Sequence, residues 1–152
     1  MFDVEQFLQV TTDEATSTEM LNPPDGYEGV GVITKVAGRS GTIGKGERNG
    51  EPYMAVDVSI EFSDVRIQEA VKRSKWTGRY GLMLDLTSAG AIDMSPGMNV
   101  KLGRLRAAVG QNIAGQPWGF KMLEGKTLHG KVKRRIADDG KEYCDVTEVT
   151  AL

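Results

Sequence analysis

The stretch from Tyr53 to Phe62 limits what this chain can become more than any other. Met54, Val56, Val58, Ile60 and Phe62 alternate with Tyr53, Ala55, Asp57, Ser59 and Glu61. Successive side chains of a β-strand point to opposite faces, so this is a strand with one apolar face and one mostly polar face. Such a strand belongs in an antiparallel sheet with a core on one side and water on the other.

The flanking segments supply its neighbours. From Tyr27 the period is again two: Val30, Val32, Thr34 and Val36 share one face of a first strand, with Ile33 and Lys35 on the other. Gly38 to Gly50 reads as a glycine-rich loop carrying Arg39, Lys45 and Arg48. Asp64 is placed to cap a short helix running to about Ser74, with Val65, Ala70 and Val71 as its apolar side. A third strand is predicted over Trp76 to Thr87, with Leu82, Leu84 and Leu86 inward. Ser95-Pro96-Gly97 opens the main helix, where Leu102, Leu105 and Val109 fall at helical spacing and Gly110 ends the run. A fourth strand spans about Lys126 to Ile136, and the Asp138-Asp139-Gly140 turn joins it to a fifth around Tyr143 to Val149.

The predicted fold class is therefore mainly β: a five-stranded OB-fold barrel with one main α-helix between the third and fourth strands, plus an acidic N-terminal arm. Barrels or sandwiches of other connectivity share this order of elements. At 152 residues the chain has room for one such domain, taken as residues 27–152, with residues 1–26 as the arm. The arm opens with Phe2, Val4, Phe7, Leu8 and Val10 at the spacing of a short amphipathic helix, continues as a polar linker, and ends at Asn22-Pro23-Pro24-Asp25-Gly26.

Charge divides the chain at the same place. Asp3, Glu5, Asp13, Glu14, Glu19 and Asp25 face no Lys or Arg within residues 1–26, so the arm carries −6. Setting those six acids aside leaves fifteen against nineteen bases, a body at +4, which suits a polyanionic partner. An acidic start where a signal peptide would be basic, and apolar runs far short of a spanning helix, predict a cytoplasmic protein without a membrane segment.

Little in the sequence points to catalysis. Cys144 and His129 are the only residues of their kinds, too few for a zinc site built from Cys and His or for a histidine-based triad. The segment from Gly38 to Gly46 resembles a phosphate loop only superficially. Aligned on Gly44-Lys45, the Walker pattern would need glycine at Arg39 and a hydroxyl at Gly46, and a strand follows in place of a helix. Asp57, Asp85 and Asp93 form no compact acidic motif for magnesium. The expectation is a non-enzyme with no cofactor and no metal.

What the sequence does supply is cations interleaved with aromatics. Holding a single strand without strict sequence preference takes a positive groove for phosphates and flat side chains on which bases stack. Lys131, Lys133 and Arg135 alternate outward along the fourth strand at roughly 7 Å steps. Tyr53, Trp76, Tyr80 and Tyr143 each stand near a cation in sequence: Arg48, Lys75, Arg79 and Lys141. With Lys35, Arg39 and Lys45 these make the candidate binding set. Tyr80 shares parity with the inward leucines, so a core role competes with stacking there. Trp118, beside Phe120, reads as a structural clamp beneath the helix.

Leu102-Gly-Arg-Leu-Arg-Ala-Ala-Val-Gly-Gln-Asn112, Gly115-Gln-Pro-Trp-Gly-Phe120, Leu123-Glu-Gly125 and a basic strand ending in a tyrosine hairpin together resemble the single-stranded-DNA-binding proteins of tailed bacteriophages. The aliphatic strand Leu82 to Leu86 followed by Asp93 fits the same pattern. The resemblance runs from about Tyr27 to the C-terminus. It implies an OB-fold that coats single-stranded DNA during phage replication or recombination in an infected bacterium. Many such proteins end in an acidic tail that recruits partners, whereas here the acidic segment is at the other end. That arm is expected to meet replication or recombination proteins or to compete for the basic groove. Two alternatives share these features: an OB module that binds proteins, and a binder of single-stranded RNA. The oligomeric state stays open, a homo-oligomer included.

Overall fold

A computed structural model describes residues 3–152. Its elements are α1 (Val4–Leu8), β1 (Glu28–Thr42), β2 (Pro52–Phe62), α2 (Val65–Val71), β3 (Trp76–Met83), α3 (Val100–Ala108), a 3-10 turn at Phe120–Leu123, β4 (Thr127–Ile136) and β5 (Glu142–Thr150). The strands form one antiparallel sheet in the order β3-β2-β1-β4-β5. The mainly β class, the five strands and the helix between the third and fourth are as expected from the sequence. The sheet is open, for no ladder joins β3 to β5 among the described residues. It curls until these edges meet, and a methyl group added at Gly78 of β3 would lie 2.9 Å from Val146 of β5.

β2 behaves as its alternation demands from Val56 onward, though Ala55, expected on the outer face, is also buried. Val56, Val58, Ile60 and Phe62 are buried, while Met54, at the rim, is 39% exposed. Phe62 is the centre of the core. Its ring meets Tyr27 edge-on at 5.7 Å and Trp76 at 6.0 Å. It lies between Gly31 and Gly130, where an added Cβ would come within 2.9 Å of the ring. Those two glycines create the slot that the largest inward side chain of β2 needs.

β1 departs from its expected faces. Ile33 and Val36 are buried, whereas Val30 is 56% exposed and Thr34 is exposed. The pairing with β2 shifts between Ile33 and Lys35, a bulge that inserts one residue and reverses parity. The valine series is thus not one face: Gly31 and Ile33 point inward before the bulge and Val36 after it. A bulge preserves composition while changing register, which is why the alternation misread it.

The predicted loop from Gly38 to Gly50 is also corrected. β1 continues through Thr42, paired with Pro52, and only residues 43–51 form the connection. In α2 it is Ile67 that enters the core beside Val71, while Val65 is 66% exposed. β3 ends at Met83, beyond which Leu86 makes only a lone bridge to Ile92. α3 begins later than Ser95-Pro96-Gly97, because Asn99 holds the preceding loop in place. Its amide donates to Asp85 O and Asp93 O, both at 2.9 Å, and its Oδ1 accepts the Asp85 N–H at 2.8 Å. Leu102 and Leu105 of α3 are buried, and Gly110 at φ +74 terminates it.

The arm carries α1, capped by Asp3, with no buried residue. Phe2 lies outside the described residues. The arm's root is tied to β4, since Asp25 accepts the Arg134 N–H at 2.9 Å and Pro23 O accepts Arg134 Nε at 3.3 Å. No described helix is long and apolar enough to cross a membrane.

Candidate nucleic-acid interface

The outer face of β1, β2 and β3 is built from directly opposed residues. Lys35 pairs with Ser59 and Ser59 with Arg79; Ala37 with Asp57 and Asp57 with Gly81; Arg39 with Ala55 and Ala55 with Met83; Gly41 with Tyr53. Opposed residues project to the same side, so these rungs assemble Lys35, Arg39, Tyr53 and Arg79 on one surface. Tyr53 lies across Gly41, and a methyl group there would be 2.9 Å from the ring.

Asp57 organises the cations. Arg39 Nε donates to its Oδ2 at 2.9 Å, and Arg79 NH1 stands 3.9 Å from Oδ1. One carboxylate thus positions two guanidinium groups and leaves a net positive charge. Arg39 also reaches the Tyr53 ring, its guanidinium carbon 5.8 Å from the centroid. Lys101, at the start of α3, completes the group. Its Nζ donates to Gly81 O at 2.6 Å and sits 4.4 Å over the Tyr80 ring. Burial, with the Arg79 charge, lowers the Lys101 pKa against the pull of Asp145.

Two grooves border this surface. One, of about 290 Å³, is bordered by Arg39, Arg79, Met83, Lys101 and Asp145. The other, of about 330 Å³, lies between the β1–β2 connection and the segment after β3, bordered by Arg48, Tyr53, Met83 and Leu86. Met83 belongs to both. The result is a track from Arg48 past Tyr53, Arg39 and Arg79 to Lys101 and the edge of β5.

The cations of β4 sit differently. Lys131 opposes Glu148, Lys133 opposes Asp145, and Arg135 opposes Tyr143. Arg135 is bound to Asp145 at 2.5 Å and covers the Tyr143 ring at 4.9 Å. The stripe exists, and of its three cations only Arg135 is ion-paired among the described residues. Arg48 likewise pairs with Glu51 at 2.7 Å, and Lys45 is exposed in the same connection.

Two expected stacking residues lie off the track. Tyr80 is 1% exposed, so its ring is core and is withdrawn from the binding set. Its hydroxyl donates to Lys101 O at 3.1 Å, and burial raises its pKa to about 12. Trp76 opposes Phe62 and shares its inward side; it is half-buried beside a groove reached by Glu19 to Asn22 of the arm. The aromatic–cation partners also differ from the sequence neighbours: Arg39 serves Tyr53, Lys101 serves Tyr80, and Arg135 serves Tyr143. Adjacent strand residues face opposite ways, so a partner comes from across the sheet. Lys101 was not foreseen, because nothing local shows the start of α3 reaching Gly81.

No family model and no curated protein matches this chain.

Around Trp118, Arg106 stacks on the ring at 4.4 Å, Phe120 packs edge-on at 5.0 Å, and Nε1 donates to Gln111 Oε1 at 2.8 Å. No group of three His, Cys, Asp or Glu suited to a metal occurs among the described residues.

Proposed function

We propose that this protein binds single-stranded DNA with little sequence preference, as an OB-fold coating protein of the tailed-phage kind acting in replication or recombination. The observation that carries the reading is the track from Arg48 through Tyr53, Arg39 and Arg79 to Lys101. OB-folds bind oligonucleotides on the face of strands 2 and 3 and through the loops joining strands 1–2 and 4–5. The order β3-β2-β1-β4-β5, with β3 curling against β5, supports reading the sheet as that barrel. On this reading Tyr53, backed by Gly41, stacks on a base. Arg39, Arg79 and Lys101 take the flanking phosphates, which compete with Asp57 for the two arginines. Lys35, Lys133 and Arg135 extend the positive surface on either side.

The test is fluorescence titration with a single-stranded DNA, its duplex and the matching RNA at several salt concentrations. We expect the DNA single strand to bind best, with log affinity falling against log salt by about 0.7 per phosphate contact. Equal affinity for the duplex, preference for RNA, or affinity flat with salt would each overturn the assignment.

A further inference from the structure

On the side of the molecule formed by α3, two clefts of about 460 and 570 Å³ share Met94, Leu102, Arg106 and Asn112. Their rims are unusually apolar for free surface: Met94 is 71% exposed, Met98 44% and Ile113 47%. Arg106, which borders both, is only 8% exposed. Its NH2 donates to Gln111 O at 3.1 Å, and its Nε has no partner at all. No carboxylate lies within ion-pair distance of Arg106 or of Arg104 among the described residues. The Trp118 ring at 4.4 Å and the more distant Asp93 on the rim of one cleft leave this guanidinium without a paired anion, and a carboxylate arriving at the cleft would supply one.

The same chain carries a segment of complementary character. In α1 and just after it, Val4, Phe7, Leu8 and Val10 are each at least 67% exposed and cover nothing. Asp3 and Glu5 accompany them, in an arm with no positive side chain. The inner part of the arm, Glu19 to Asn22, borders a groove formed by Val71 to Thr77, which shares no residue with the α3 clefts.

We propose that the α3 cleft receives the α1 arm of a second copy of this chain. Phe7 and Leu8 enter between Met94, Leu102 and Ile113, and the arm's carboxylates meet Arg104 and Arg106. Methionine-lined grooves adapt well to such apolar helices. The contact joins two different surfaces, so it is either exchanged reciprocally within a pair or adds copies in line. The in-line geometry suits a protein that covers a strand, but the contact itself needs no nucleic acid.

Sedimentation without DNA tests it, so its failure is separable from failure of the binding assignment. One full-length variant breaks the arm (Phe7→Ser with Leu8→Ser) and another breaks the cleft (Met94→Glu with Ile113→Glu); all four positions are substantially exposed. The unmodified protein should gain mass with concentration, most at low salt. Each variant alone should remain a single chain, and an equimolar mixture should recover a two-chain species, because one variant keeps its cleft and the other its arm. A single-chain unmodified protein, variants that associate as it does, or a mixture that stays monomeric would overturn the proposal.

Discussion

The two faces of the β1–β2–β3 sheet are made by different rules. The inner face is continuous along β2 itself: Val56, Val58, Ile60 and Phe62 follow one another there, and what they need is to leave water. The outer face is continuous only across strands. Tyr53 is backed by Gly41, Arg39 is held by Asp57, and Asp57 also holds Arg79, each link joining residues far apart in sequence. The inner face carries the fold, and the outer face carries the charge and the half-buried Tyr53 ring. Substitutions on the two should therefore separate stability from binding.

The largest effect is expected inside. Phe62→Ala empties the slot between Gly31 and Gly130 and should cost about 3–5 kcal/mol of stability, read from urea unfolding. A loss below 1 kcal/mol would mean that Phe62 is not the centre of the core. On the outer face, Tyr53→Ala should weaken binding to single-stranded DNA by about 1–3 kcal/mol while the melting temperature stays near that of the unmodified protein. Trp76→Ala provides the contrast: it lies on the inner side against Phe62 and should lose stability more than affinity. The reverse pattern would exchange the roles of the two rings.

A smaller effect sharpens the comparison at the edge of the core. Asp64 accepts the Tyr27 hydroxyl and the Ile67 N–H, the latter at 2.9 Å, and so caps α2. Burial opposes its ionisation, but the Tyr27 and Ile67 hydrogen bonds and the Arg66 charge hold its pKa below the ordinary 3.8. A depressed carboxylate pKa stabilises the fold fully above the unfolded value and loses that contribution as pH falls through the folded one. Asp64→Ala should therefore cost about 1 kcal/mol near neutrality, and the difference from the unmodified protein should shrink in acid below 3.8. A difference independent of pH would remove the ionised cap from the account.

The same contrast explains what could be read from the sequence. β2, the order of elements and the core role of Leu102 and Leu105 follow from periodicity, which is local. The bulge after Ile33 leaves no local sign, and β1 was assigned the wrong inward face there. Tyr53, Arg39 and Arg79 were identified as residue types, but their grouping depends on cross-strand register. Arg48 was paired with Tyr53 because it is near in sequence, whereas Arg39 holds that position in space. Lys101 and the double duty of Asp57 were missed for the same reason. Of Lys131, Lys133 and Arg135, only Arg135 is ion-paired among the described residues, to Asp145 of β5, and that partner depends on register and not on sequence proximity.

The central claim is that single-stranded DNA lies along the outer face of β1, β2 and β3. Titration of the isotopically labelled full chain with a thymidine oligonucleotide, followed by amide chemical shifts, tests it most directly. The account predicts the largest shifts at Arg39, Tyr53, Arg79, Met83 and Lys101, with little change at Ile113 or Trp118. Shifts centred on α3 and Trp118, or none along β1 to β3 at saturation, would contradict it.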